Sequence, residues 1–287
     1  MRLGRTWVLG LCLALAARAA LAQPGSCGEL VTLPTHERST THYALAGPPT
    51  GPAGVLVLLV GGGGHLDLDE RGCPRALKGN SLVRSLPLFH AAGFATALVD
   101  APSDHTGEDG LAGFRISEAH AQDIGRVIAD VRTRVGDKGD KKGVKGPVWL
   151  VGTSRGSISA ANAASRLAGA AAPDGLVLTS AVTAGARARK AWVMQSVFDL
   201  PLEAVRMPVL VVGHADDSCV RTPAALMERI TERTLGTREQ VVTVTGGAGK
   251  AGAPGVDACE GRSPHGFIGQ EAEVAAGIAR FVGGGRY

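Results

Sequence analysis

Apolar runs and amphipathic segments alternate along most of the chain. Five continuous apolar runs have the length of strands that are buried on both faces: residues 54–60, 95–101, 148–151, 175–178 and 208–212. Five further segments carry apolar residues at helical spacing: 81–92, 117–135, 157–167, 223–233 and 269–282. A short hairpin formed by 30–34 and 42–46 precedes them. Strands that alternate with helices predict a mostly parallel, twisted sheet with helices on both faces.

Residues 1–22 have the three parts of a secretory signal peptide. A basic start is followed by the apolar stretch 7–17 and by an Ala-Leu-Ala site before Gln23. A membrane anchor fits less well, because this stretch is shorter than the roughly 20 residues that cross a bilayer and Arg18 follows it. A lipidation site at Cys27 is a poorer match still. We therefore expect cleavage before Gln23 and one domain over 23–287.

Composition excludes several classes of function. The formal net charge is +4, and it falls to +1 without the three arginines of residues 1–22. Such a balance does not predict binding to nucleic acid or to an anionic membrane. Aromatic residues make up only 4% of the chain, so an aromatic platform for sugars is not expected either.

The cysteines that follow the leader are even in number. Export places them in an oxidising compartment, where disulfides form. They allow three pairings among four positions: Cys27, Cys73, Cys219 and Cys259.

A candidate nucleophile follows the third apolar run. Residues 152–156 read Gly-Thr-Ser-Arg-Gly and lie between that run and a predicted helix. In a nucleophile elbow, a serine on a sharp turn between strand and helix exposes its Oγ, and the flanking glycines give the turn room. The motif is weakly specific by itself, so Ser154 depends on what the other loops contain.

A run of glycines follows the first apolar run. Residues 61–64 are all glycine, so their backbone N–H groups can approach a ligand closely. Gly62 and Gly63 are the expected oxyanion donors, together with the N–H of Arg155. A phosphate cradle is disfavoured, since neither a G-K-[ST] ending nor G-x-G-x-x-G spacing is present.

The last two loops offer an acid and a base. The loop after 208–212 contains Asp217, the expected orienting acid, and Asp216 as its alternative. His214 lies beside them, but it lacks a second histidine at metal-binding spacing, so neither a metal nor a cofactor is predicted. His265 stands late in the chain, between turn residues and before the final helix. The order Ser154, Asp217, His265 is the order in which the α/β-hydrolase arrangement carries its triad.

Other polar residues have an ordinary interpretation. Most remaining histidines are expected to be surface imidazoles: His36, His42, His90, His105 and His120. The loop after the second apolar run could border the cleft through Asp104, His105, Phe114 and Arg115. Arg115 could bind an acidic substrate, but a surface salt bridge is the more usual role.

These motifs together resemble the α/β-hydrolase superfamily. Residues 99–104, 152–156 and 263–267 are similar to those of exported, poorly characterised bacterial members. The resemblance implies an α/β-hydrolase fold without a large cap domain. The dienelactone hydrolase branch is similar in size, but it uses a cysteine nucleophile, and Ser154 makes that activity less expected.

The resemblance also implies roles. Ser154 would attack an acyl carbon, His265 would accept its proton, and Asp217 would orient the imidazole. Because a histidine base must be neutral, activity should rise between about pH 6 and 8. The expected substrates are short acyl esters, thioesters or lactones. An acyltransferase with the same triad and a noncatalytic binding protein on this fold are the alternatives.

The same roles favour one disulfide pairing. Cys219 lies just after Asp217 and Cys259 just before His265, so a bridge between them would join the acid loop to the histidine loop. Cys27 would then pair with Cys73. Closing a loop of this length could add about 4 kcal/mol of stability in the chain-entropy model.

Overall fold

A computed structural model describes residues 25–48, 51–107, 109–136, 146–185, 191–249 and 252–287. The predicted signal peptide, residues 1–22, lies outside these ranges, so it stays a prediction.

The described part contains one eight-stranded sheet with the order β1-β2-β4-β3-β5-β6-β7-β8. The strands are β1 Glu29–Pro34, β2 Thr40–Ala46, β3 Val55–Leu59, β4 Ala95–Val99, β5 Val148–Thr153, β6 Gly175–Thr179, β7 Val209–His214 and β8 Glu239–Val244. The β1-β2 hairpin is antiparallel and joins β4 at one edge, while β3 to β8 run parallel. This arrangement confirms the predicted fold class.

Helices cover both faces of the sheet. They are α1 Ser81–Arg84, α2 Leu86–Ala91, α3 Glu118–Gly136, α4 Gly156–Arg166, α5 Glu228–Thr231 and α6 Glu271–Val282. On one face, Val57 of β3 packs in a core with α3 and α4. On the other, Leu56 and Leu58 pack in a core with α2 and α6. Alternate residues of β3 therefore serve opposite cores, which is why the strand is apolar throughout.

Two predicted helices are shorter than their patterns suggested. The segment 81–92 divides at Ser85, because Pro87 starts a new helix close to its N-terminus. The segment 223–233 forms only a 3₁₀ turn, Ala224–Leu226, and the single turn of α5. Among the described residues between β6 and β7, short 3₁₀ turns take the place that a large cap would occupy.

Within the described ranges, no helix combines the length and the apolar character that crossing a membrane requires.

Candidate active site

Ser154 occupies a sharp turn between β5 and α4. Its φ is +50°, in the left-handed region that non-glycine residues seldom adopt. Such a conformation costs about 1–3 kcal/mol and persists only where neighbouring structure enforces it. Here the N–H of Ser154 donates to the carbonyl of Thr179 on β6 at 3.0 Å, so the adjacent strand holds the turn.

The glycines on either side of the turn are sterically required. A Cβ on Gly152 would lie 2.5 Å from the carbonyl oxygen of Gly156. A Cβ on Gly156 would lie 2.0 Å from the carbonyl oxygen of Leu59 on β3. Both separations are far below van der Waals contact, so α4 can pack this close to the sheet only with glycine at these positions.

Asp217 and His265 form a buried pair. Asp217 follows β7, and His265 lies on the 3₁₀ turn Pro264–Gly266 before α6. Asp217 Oδ2 lies 2.9 Å from His265 Nδ1, and the side chains are only 1% and 4% exposed. The other oxygen, Oδ1, accepts the N–H of Cys219 at 2.9 Å. Asp216 is exposed, and its N–H donates to His214 Nδ1, so the acid that contacts His265 is Asp217.

A third side chain joins this pair. Thr222 Oγ1 donates to Asp217 Oδ2 at 2.7 Å and lies 3.1 Å from His265 Nδ1. Thr222 is 3% exposed. It was not expected from the sequence, where its only signal is its position shortly after the acid. The threonine thus holds the carboxylate of Asp217 beside His265 by a further hydrogen bond.

Ser154 and His265 line one cavity. Its volume is about 240 Å³, and its walls are mostly glycine and small polar residues. His265 Nε2 is buried and has no hydrogen-bond partner among the described residues. With Nδ1 committed to Asp217, Nε2 is the nitrogen that remains for proton transfer.

The glycine turn contributes one wall of this cavity. Gly61 and Gly62 line it, and a Cβ on Gly61 would lie 2.8 Å from Ser154 Cβ. Gly63 is outside the set of lining residues, and its carbonyl accepts the N–H of Leu111 at 2.8 Å. Of the expected oxyanion donors, Gly62 therefore lies in the cavity wall, and Arg155 directly follows Ser154 at the start of α4.

Arg115 lies beneath the glycine turn. It is 2% exposed, so neither the surface salt bridge nor a substrate contact at the cleft edge describes it. Its Nη2 donates to the carbonyls of Val60 at 3.2 Å and Gly62 at 3.3 Å, and Nη1 donates to Ser159 Oγ at 2.7 Å. Burial, with a further contribution from Arg155, lowers the pKa of Arg115 to about 9. Burying a charged guanidinium is unfavourable unless hydrogen bonds replace those it made to water. The bonds to Val60, Gly62 and Ser159 provide this replacement.

The histidines near Arg115 are also more buried than expected. His120 is 4% exposed and its Nε2 lies 2.8 Å from Ser159 Oγ. Burial, followed by the charge of Arg115, holds the pKa of His120 well below its ordinary value. The ring of His105 stacks on Phe114 at 4.1 Å between centroids. Neither His105 nor Phe114 lines the cavity of Ser154.

The described residues contain two disulfides, Cys27–Cys73 and Cys219–Cys259. These are the pairs that the sequence favours. Cys259 also lines the cavity, so the second bridge connects the loop of Asp217 directly to the wall that carries His265. Because Cys219 Sγ is bonded to Cys259, it is not a thiolate that could bind a metal beside Asp217 and His265.

His214 has a structural role. Its Nδ1 accepts the N–H of Asp216 at 2.9 Å, and its Nε2 lies 2.7 Å from Gln270 Oε1 and 3.0 Å from the carbonyl of Gly246. Both ring nitrogens are thus used within the protein. His214 fastens the end of β7 to the start of α6.

No family model and no curated protein sequence matches the chain. Similar solved structures include a thermophilic esterase from the planctomycete Thermogutta terrifontis with propionate bound, at a TM-score of 0.57 and 14% identity over 91% of this chain and 95% of that one. Est1E from Butyrivibrio proteoclasticus with ferulic acid bound has a TM-score of 0.53 and 13% identity, over 88% and 97%. Dienelactone hydrolase from Anabaena variabilis has a TM-score of 0.51 and 14% identity, over 90% and 100%.

These similarities, with the strand order and the helices on both faces, define the class: the chain has the α/β-hydrolase fold. The expected fold is confirmed over nearly the whole described length.

Proposed function

We propose that this protein is an exported serine hydrolase that cleaves ester-type acyl bonds. The proposal is carried by one observation: His265, paired with buried Asp217 at 2.9 Å, lines the same cavity as Ser154 in its left-handed turn. A nucleophile, a base and a group that orients the base are the parts that acyl transfer through serine needs.

The reaction would proceed through an acyl-enzyme. Ser154 Oγ forms a bond to the acyl carbon while its proton passes to His265 Nε2. The tetrahedral intermediate then collapses, and the bond to the leaving oxygen breaks as that oxygen takes the proton from Nε2. Water repeats both steps on the acyl-enzyme and releases the acid. Asp217 stabilises the imidazolium that forms in each half.

The negative charge of the intermediate needs backbone donors. The N–H groups of Gly62 and Arg155 are the proposed oxyanion hole, since Gly62 lines the cavity and Arg155 immediately follows the nucleophile. Arg155 is also the N-cap of α4, and the partial positive charge at a helix N-terminus adds to the stabilisation.

The cavity supports a small substrate. Its volume of about 240 Å³ lies below that of typical pockets for drug-sized ligands, about 300–1,000 Å³. The Thermogutta esterase, which shares the fold, holds propionate. Short acyl esters, thioesters or lactones are therefore the proposed substrates, and a p-nitrophenyl acetate assay should give a higher kcat/KM than the octanoate.

Two features support export. The disulfides Cys27–Cys73 and Cys219–Cys259 are typical of oxidising compartments. The pattern of residues 1–22 is that of a cleaved secretory signal.

Labelling with a fluorophosphonate probe tests the proposed nucleophile. Folded wild type should be labelled, and Ser154→Ala should not be. Ser81 lines the same cavity, so Ser81→Ala is the matched control and should retain labelling. Labelling that survives Ser154→Ala would refute the assignment, and an unlabelled wild type would favour a binding protein. Ester assays with added alcohols or amines then separate hydrolysis from acyl transfer.

A further inference from the structure

A second group of polar side chains lies apart from the Ser154 cavity. His36 lies in the turn between β1 and β2, and Asp104 and His105 lie in the loop after β4. One ring nitrogen of His36, one carboxylate oxygen of Asp104 and one ring nitrogen of His105 all lie within 4.8 Å of one another. Asp104 Oδ2 is 2.9 Å from His36 Nε2, and Oδ1 is 2.9 Å from His105 Nδ1. Three potential ligand atoms therefore converge from two separate loops.

His36 is held in one orientation by a buried carboxylate. Asp123 on α3 is 4% exposed, and its Oδ2 hydrogen-bonds His36 Nδ1 while its Oδ1 accepts the N–H of His36 at 2.9 Å. This contact directs Nε2 toward Asp104. A carboxylate on the far nitrogen of a histidine is the usual arrangement around metal-binding imidazoles, where it fixes the tautomer and strengthens the ligand.

His105 has a buried ring nitrogen, Nδ1, whose hydrogen bonding is not satisfied within the described residues. Its Nδ1 is shielded from solvent, and it makes no well-aligned hydrogen bond to any residue in the described ranges, although Asp104 is near. The stacked ring of Phe114 fixes the imidazole plane. Asp104 is 46% exposed, so the cluster opens to solvent on its side and an ion could enter there.

The donor atoms select a class of ion. Two imidazoles and one carboxylate suit Zn²⁺ and similar divalent transition metals, whereas Ca²⁺ and Mg²⁺ prefer oxygen ligands. Ligands at zinc distances in a tetrahedron are about 3.3 Å apart. The contacts of Asp104 with the two imidazoles, 2.9 Å each through different carboxylate oxygens, are shorter than this, and no separation among the three ligand atoms exceeds 4.8 Å. The three side chains would therefore adjust when the ion binds.

We propose that His36, Asp104 and His105 bind one divalent transition-metal ion, best represented by Zn²⁺, with Asp123 as the residue that orients His36. Three protein ligands leave a fourth position open to solvent. The ion would fasten the hairpin of β1 and β2 to the loop after β4. That loop continues to Leu111, whose N–H holds the carbonyl of Gly63. The site does not depend on the function proposed for Ser154.

Zn²⁺ binding to the tag-free protein tests this site. After treatment with a chelator and dialysis, wild type should bind one Zn²⁺ per chain in competition with a chromophoric chelator. His105→Gln and Asp104→Asn each remove a ligand and should lose this binding. Asp123→Asn should weaken it by about 10–100-fold, as loss of an orienting partner does. His42→Gln is the matched control, because His42 is a nearby histidine on β2 that contacts Thr32 instead, and it should bind as wild type.

Co²⁺ provides a second readout that does not depend on activity. The visible absorption of bound Co²⁺ should show tetrahedral coordination in wild type and change in His105→Gln. Circular dichroism checks that the variants fold. If His105→Gln does not fold, Asp104→Asn still tests the site, because its side chain is 46% exposed. The proposal is overturned if wild type binds no ion, or if Asp104→Asn and His105→Gln bind it with unchanged affinity.

Discussion

The guanidinium of Arg115 donates to the carbonyl oxygen of Gly62 at 3.3 Å, directly beneath the wall of the Ser154 cavity. This carbonyl belongs to the peptide between Gly62 and Gly63, so the hydrogen bond restrains the glycine turn on the C-terminal side of Gly62. Gly64 reinforces this arrangement, because a Cβ there would lie 2.8 Å from Arg115 Nη2. Arg115 is therefore a positioning residue for the proposed oxyanion turn.

Replacing Arg115 should reduce turnover more than substrate binding. Loss of a whole oxyanion donor costs about 10²–10³ in kcat, so Arg115→Met, which only loosens the turn, should cost about tenfold with KM nearly unchanged. Arg115→Lys should restore less than the wild-type rate, since lysine lacks the planar fork. Steady-state ester hydrolysis measures both constants. Arg126→Met, at a half-exposed arginine of α3, is the control. An unchanged kcat in folded Arg115→Met would contradict the positioning role.

The two adjacent aspartates after β7 should differ sharply. Asp217→Asn leaves His265 without its carboxylate, and the loss of such an acid reduces kcat by about 10⁴ in a serine protease. Asp216→Asn changes an exposed side chain next to it and should leave kcat unaltered. Ester hydrolysis by both variants distinguishes the positions. A large loss in Asp216→Asn alone would reverse the assignment.

The disulfides should separate stability from activity. Replacing either cysteine pair with alanine should cost up to about 4 kcal/mol of unfolding free energy in the chain-entropy model, since the loops have similar lengths. Only the Cys219–Cys259 bridge joins the acid loop to the cavity wall, so only its removal should also lower kcat. Urea unfolding and ester hydrolysis give the two quantities. Equal kcat losses in both double variants would argue against this distinction.

Stability should fall in mild acid because of His120. Burial and the charge of Arg115 lower its pKa in the folded state, so below about pH 6.5 the unfolded chain binds a proton that the folded chain does not. The contribution is fully present above that pH and is lost as the pH falls. The slope attributable to this site reaches about 1.4 kcal/mol per pH unit.

His120→Gln provides the comparison. The variant should lose less stability than wild type between about pH 6.5 and 5 in urea unfolding, even if it is less stable at neutral pH. His42→Gln should follow the wild-type curve. Parallel curves for wild type and His120→Gln would exclude His120 as the source of the acid sensitivity.

The edge strand β8 shows where periodicity stops being informative. Residues Glu239–Val244 are half exposed for most of their length. The segment therefore lacks the continuous apolar run by which a buried strand is predicted. It is a strand because β7 offers a parallel edge, which is a tertiary circumstance. The break of 81–92 at Ser85 is different, since Pro87 was already visible in the sequence.

The sequence by itself determined the layered fold and the chain order of Ser154, Asp217 and His265. Buried strands, amphipathic helices and glycines at a tight turn each require particular residue types at local spacing, so the sequence alone shows them. It did not show that Arg115, Thr222 and His36 have structural or functional roles. Their roles arise from contacts made across long stretches of chain, such as His36 with Asp123 and Arg115 with Gly62. Whether a polar side chain meets solvent or a buried partner depends on which surfaces pack together, and only the tertiary structure decides that.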